Sequence, residues 1–132
     1  MKSLVHAARI STALGVMALG FAGLTGTASA ALPTPFQVCS PLGCAVQSVQ
    51  GTVETTAGQT RVIATVTDSS PNASLTAVFV LRGPHSVMQQ VVADNGTQRQ
   101  VITAPDAFTE LGVSACATGG GSGGCNTVTV PL

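Results

Sequence analysis

Leu111-Gly-Val-Ser-Ala-Cys116-Ala-Thr-Gly-Gly-Gly-Ser-Gly-Gly-Cys125-Asn-Thr-Val-Thr-Val130 sets two alternating runs on either side of a glycine loop, with a cysteine at each foot of that loop. Alternation of apolar and polar residues is the mark of a half-buried strand, and glycine supplies the backbone freedom that a reversal needs. The stretch predicts a β-hairpin closed by a Cys116–Cys125 disulfide. It thereby points to an all-β class and to an oxidising compartment.

The N-terminus agrees with that compartment. Met1 to Arg9 carries Lys2 and Arg9, Ile10 to Leu24 is uncharged and apolar, and Thr25-Gly-Thr-Ala28-Ser29-Ala30 ends in a small-x-small triplet. This order is that of a Sec-type signal peptide over residues 1–30, with cleavage expected before Ala31. The apolar run of about fifteen residues is short of the roughly twenty that span a bilayer. No twin arginine is present, and no cysteine stands directly after the run to accept lipid. The expectation is full secretion, extracellular or associated with the cell wall, with no membrane span after cleavage.

Beyond residue 30, three arginines (Arg61, Arg82, Arg99) stand against five acids (Glu54, Asp68, Asp94, Asp106, Glu110), a net charge of −2. Such a chain offers no basic patch to nucleic acid or to an anionic membrane. About a hundred residues suffice for one domain and one core. Its aromatics are Phe36, Phe79 and Phe108, so Val, Ile, Leu and Ala must fill that core.

The four cysteines fall into two local pairs, Cys39/Cys44 and Cys116/Cys125. Three connectivities are formally open. Local pairing is favoured because each pair brackets turn formers, Ser40-Pro-Leu-Gly43 in one case and the glycine run in the other. A four-cysteine zinc site is the competing reading, but paired zinc ligands usually have two to four residues between them. Here the gaps are four and eight.

From Ala31 to Gln37 two prolines give an extended lead-in, and Cys39 to Cys44 a tight disulfide bend, so residues 31–44 precede a sandwich domain over 45–132. Within that domain a first strand runs to about Thr55, weakened at Gly51. A turn at Thr56-Ala-Gly58 leads to Arg61–Thr67, and Ser69-Ser-Pro-Asn72 is a second turn by composition. Leu75–Leu81 carries apolar residues on both faces, the pattern of a central strand covered on both sides. Val87–Ala93 and Thr97–Thr103 flank Asp94-Asn95-Gly96, which reads as a hairpin because Asn-Gly accepts positive φ at both positions. The sum is about seven antiparallel strands with two local disulfides and no helical periodicity, a β-sandwich.

The strand pattern resembles immunoglobulin-like and fibronectin-type-III sandwiches. Leu111-Gly-Val113-Ser-Ala115-Cys-Ala117 and Val128-Thr-Val130 are similar to the last two strands of such domains. The likeness covers Ala45 to Pro131 and implies architecture alone. The chain has no Trp for the core, no Tyr for the corner before the sixth strand, and no inter-sheet cysteine pair. The chain is also similar in composition to apoproteins of secreted enediyne chromoproteins, which carry two local disulfides. Here the shorter cysteine loop comes first, opposite to that family's order. That second likeness implies that a small apolar ligand is conceivable.

Catalytic chemistry finds little to use. His85 is the lone histidine after the signal segment, in the loop Gly83-Pro84-His85-Ser86, and a loop histidine is most often solvated. No Gly-x-Ser-x-Gly elbow occurs. The five acids are dispersed, and Asp68, Asp94 and Asp106 stand where Asp bonds the local backbone. A sugar cleft would need converging carboxylates and aromatic platforms. Gly119-Gly120-Gly121-Ser122-Gly123-Gly124 lacks the Lys-Ser/Thr ending of a phosphate loop and serves as a candidate contact loop. Asn72-Ala-Ser74 and Asn95-Gly-Thr97 match the N-glycosylation tripeptide, but both asparagines have turn roles and no modification is assigned.

No catalytic, metal or cofactor set emerges. The expectation is a secreted, non-catalytic Ig-like module for extracellular or cell-wall-associated binding, its partner an extracellular protein or a small apolar ligand. The alternatives are a carrier of a small apolar ligand and a protease inhibitor presenting a disulfide-braced loop.

Overall fold

A computed structural model of the chain describes residues 32–119 and 123–132. The expected signal peptide lies outside the described residues, as do Gly120, Gly121 and Ser122 of the glycine loop. Within them the chain forms eight strands: β1 (Thr34–Cys39), β2 (Gln47–Thr56), β3 (Gln59–Asp68), β4 (Ser74–Arg82), β5 (Ser86–Ala93), β6 (Gly96–Ala104), β7 (Glu110–Thr118) and β8 (Gly124–Pro131). They build two antiparallel four-stranded sheets, ordered β1-β2-β3-β6 and β5-β4-β7-β8.

The lead-in accounts for the eighth strand. Phe36 and Val38 point inward and are buried, while Pro35 sits on a sheet edge, where its missing N–H costs no ladder bond. The other strands follow the alternation in the sequence. In β3, Thr60, Val62, Ala64, Val66 and Asp68 are buried; in β4, Leu75, Ala77, Phe79 and Leu81 are. The apolar residues among these meet Val49, Val53, Leu111, Val113 and Ala115 in one layer between the sheets. Burying a side chain such as Phe79 or Leu75 contributes roughly 2–3 kcal/mol.

β4 is central in its sheet, as its apolar content suggests, but the core covers only one of its faces. Thr76, Val78 and Val80 point to the outside and are half-buried between their neighbours on β5 and β7.

The Asp94-Asn95-Gly96 hairpin does not form. β5 pairs with β4 in one sheet and β6 with β3 in the other, so this turn carries the chain between sheets. Asn95 has the positive φ expected of it, 52°. Its N–H donates to Asp68 Oδ2 at 2.7 Å, and Gly96 stands opposite Asp68 in the β3–β6 ladder. A long-range acceptor thus claims the turn for the facing sheet, against the local preference. The two-residue hairpin of the primed type lies instead at Ala57-Gly58, both with positive φ (48° and 73°), between Thr56 and its partner Gln59.

Gly51 does more than weaken β2. A Cβ there would overlap the Ile63 carbonyl oxygen and lie 2.8 Å from the Ala64 Cα. The strand approaches β3 too closely for any side chain, which is the usual reason for glycine inside a strand.

Candidate functional site

Both disulfides form as the spacing suggests. Cys39 and Cys44 close a bend whose backbone is tied by Gly43 N–H to the Ser40 carbonyl at 2.9 Å. Cys116 and Cys125 face each other across the β7–β8 ladder with Cα atoms 4.0 Å apart. Both are staples, and no free cysteine remains among the described residues. Of the candidate contact loop, Gly119 and Gly124 take positive φ at its two feet and Gly123 is exposed.

The two ends of the sandwich hold most of the polar chemistry. At one end Asp68 is buried (1% exposed) and accepts three hydrogen bonds, from Gln47 Nε2 at 2.8 Å, Ser70 N–H at 3.0 Å and Asn95 N–H at 2.7 Å. Burial alone would raise its pKa. The bonds from Asn95, Gln47 and Ser70 outweigh it and hold the carboxyl below the usual carboxylate range. Gln47 is itself fully buried, and its Oε1 has no partner.

At the other end His85 Nδ1 stands 3.5 Å from Asp106 Oδ2, both side chains about half exposed. The imidazole packs edge-on to Phe108, centroids 5.1 Å apart. Arg82 lies over Gly112 and reaches Glu110 Oε2 at 2.7 Å. A carboxylate can orient a histidine for proton transfer, but catalysis by such a pair also needs a nucleophile or a bound substrate atom within reach. The Thr109 hydroxyl, next to this cluster, is engaged with the Arg82 carbonyl. No group of three or more His, Cys, Asp or Glu side chains suited to a metal ion occurs among the described residues.

The outer faces of the two sheets differ in kind. That of the first carries Arg61, Arg99 and Glu54 among threonines and glutamines. It also has an open depression of about 660 Å³ lined by Pro35, Gln37, Gln50, Thr52, Ile63 and Thr65. Ligand pockets normally enclose most of a small molecule's surface. This depression is open to solvent and lies on the outer face of the first sheet, neither between the sheets nor against the glycine loop, the two places where a carrier would hold its ligand.

The outer face of the second sheet has successive cross-strand rows Val92-Thr76-Cys116-Cys125, Gln90-Val78-Ser114-Thr127 and Met88-Val80-Gly112-Thr129. Its rows contain no charged residue, and the Arg82–Glu110 pair at its end sends the Arg82 guanidinium over Gly112 of the third row. Met88 (67% exposed) and Val92 (50%) are among the most exposed large apolar side chains of the domain. This face is the candidate interaction surface. Its residues were legible as a strand pattern but not as a surface, because alternation does not say which sheet a strand joins.

No family model, curated protein or solved structure matches this chain. No helix among the described residues is long and apolar enough to cross a membrane.

Proposed function

We propose that this chain is a secreted, non-catalytic, Ig-like module that binds a protein partner outside the cell or at the cell wall, through the outer face of β5-β4-β7-β8. The observation that carries the reading is that face: uncharged over two rows, up to the Arg82 guanidinium over Gly112 in the third, with Met88 and Val92 exposed to water. An exposed apolar patch rimmed by polar residues is the usual mark of an interaction site. Two disulfides accord with an oxidising compartment, and the signal-like segment 1–30 with export. Connections that pass between the sheets after β3, β5 and β6 support the Ig-like reading, since such sandwiches use Greek-key crossovers.

The test uses immobilised, disulfide-bonded protein against native culture and wall fractions. Val78→Lys, in the middle of the face, is expected to abolish capture, and Thr65→Lys on the opposite sheet to retain it. Recovery of nothing, or equal capture by both variants, would overturn the reading.

A further inference from the structure

Three of the four sheet edges carry something that discourages another strand from pairing. β1 is preceded by Pro33 and contains Pro35; β6 presents Arg99 in its middle. β8 begins beside Pro41, is tied by Asn126 Nδ2 to the Cys39 carbonyl at 2.9 Å, and ends in Pro131. β5 is different. Ser86-Val-Met-Gln-Gln-Val-Val-Ala93 has no charge, no proline and no glycine along its length. Natural proteins rarely leave such an edge bare.

The ladders show which backbone groups that edge offers. Opposed residues in an antiparallel pair alternate between hydrogen-bonded and non-hydrogen-bonded, the latter with the closer Cα atoms. The 4.0 Å spacing of Cys116 and Cys125 marks a non-bonded pair, and Leu132 N–H donates to the Thr109 carbonyl at 2.9 Å. Odd residues of β7 therefore bond β8, and its even residues bond β4 at Thr76, Val78 and Val80. The odd residues of β4 are left for β5. Gly83 N–H donating to the His85 carbonyl at 3.1 Å closes the β4–β5 ladder in the same phase. The N–H and C=O of Ser86, Met88, Gln90 and Val92 consequently point away from the sheet.

We propose that β5 pairs antiparallel with β5 of a second copy of this chain, about a two-fold axis at Gln90, joining two four-stranded sheets into one of eight. In this register Gln90 faces the partner's Gln90, and Met88 faces the partner's Val92 on both sides of the axis. Every bonded pair then uses groups the ladder leaves free, and outward residues meet outward residues, as the pleat requires. The exposed Met88 and Val92 cover one another, which removes apolar area from water on both copies. A second copy fits better than an unrelated strand because the edge complements itself: it has no charge to match, and an apolar residue lies two positions to either side of Gln90.

Sedimentation of the disulfide-bonded protein from about 1 µM to about 1 mM, which spans association free energies of roughly −8 to −4 kcal/mol, is expected to show its mass doubling. Gln90→Lys and Gln90→Glu each remain monomeric, because like charges directly opposite repel. Mixed in equal amounts they recover the dimer, because opposite charges then meet at the axis. Gln90→Cys, which needs no charge, cross-links to a reducible dimer, whereas Thr97→Cys on β6 does not. Wild type that stays monomeric throughout, charge variants that dimerise alone, a mixture that stays monomeric, or no cross-link at position 90 would each overturn the proposal.

Discussion

Each end of the sandwich holds a loop that carries the chain between sheets, and each loop is fixed by a different kind of acceptor. At one end the buried carboxylate of Asp68 holds Asn95 and Ser70, the latter at the start of the β3–β4 turn. At the other, the neutral hydroxyl of Thr60 does the equivalent: it accepts from Phe108 N–H at 3.2 Å and donates to the Asp106 carbonyl at 2.9 Å. The Asp106 carboxylate is thereby released to the surface, where it meets His85. Two aspartates, one closing a strand and one in a loop, thus have opposite duties. What separates them is whether the backbone found another partner.

The largest break in this comparison is Asp68→Ala. It strands two backbone N–H groups and the Gln47 amide in a buried site and is expected to lower unfolding free energy by about 3–5 kcal/mol, measured by denaturant melts. The same carboxylate sets an acid limit. Its folded pKa is depressed, so its contribution is complete above the ordinary carboxylate pKa. It fades as pH falls from there through the folded value. Asp68→Asn is expected to flatten that acid slope; an unchanged slope would assign it to other groups.

Removing the Cys116–Cys125 bond by double serine substitution opens a ten-residue loop at the Asp68 end. On the chain-entropy account it lowers stability by about 2.5–3 kcal/mol, or several degrees in Tm by calorimetry. Thr60→Val keeps the shape and removes the hydroxyl, leaving Phe108 N–H unpaired; a loss of about 1–2 kcal/mol is expected. Smallest is Asp106→Asn, where a half-exposed pair with His85 is worth less than about 0.5 kcal/mol. A loss as large as that of Asp68→Ala would erase the distinction between the two ends.

The parts legible in the sequence were those that local pattern determines. Alternation marked the strands, and the cysteine spacing marked both staples. Asn95-Gly96 is a turn, as its residues predict, but not a hairpin, because Asn95 answers to Asp68, 27 residues away. Gln47 sits in an alternating run like any other, and nothing nearby shows that its amide is buried against a carboxylate 21 residues on. Nor does Gly51 reveal that a neighbouring strand lies where its side chain would be. The candidate surface depends on the same long-range information, since Val78, Val80 and Met88 form a face only once β4, β5 and β7 lie side by side.

The ladders have a mechanical consequence. The chain enters at Thr34, opposite Val53, and leaves at Pro131, opposite Glu110. Both points lie toward the His85 end, since Cys39 pairs beside Gln47 and Cys125 lies at the far end of β8. Tension across the two ends therefore peels β1 and β8 from their neighbours one rung at a time, a low-force mode. The β8 front meets a covalent tie at Cys125, which hands its load across the ladder to Cys116 of β7, whereas the Cys39–Cys44 bond lies within one bend and ties β1 to no neighbouring strand. The two outer strands can therefore yield first under load, β8 while still tied covalently to β7.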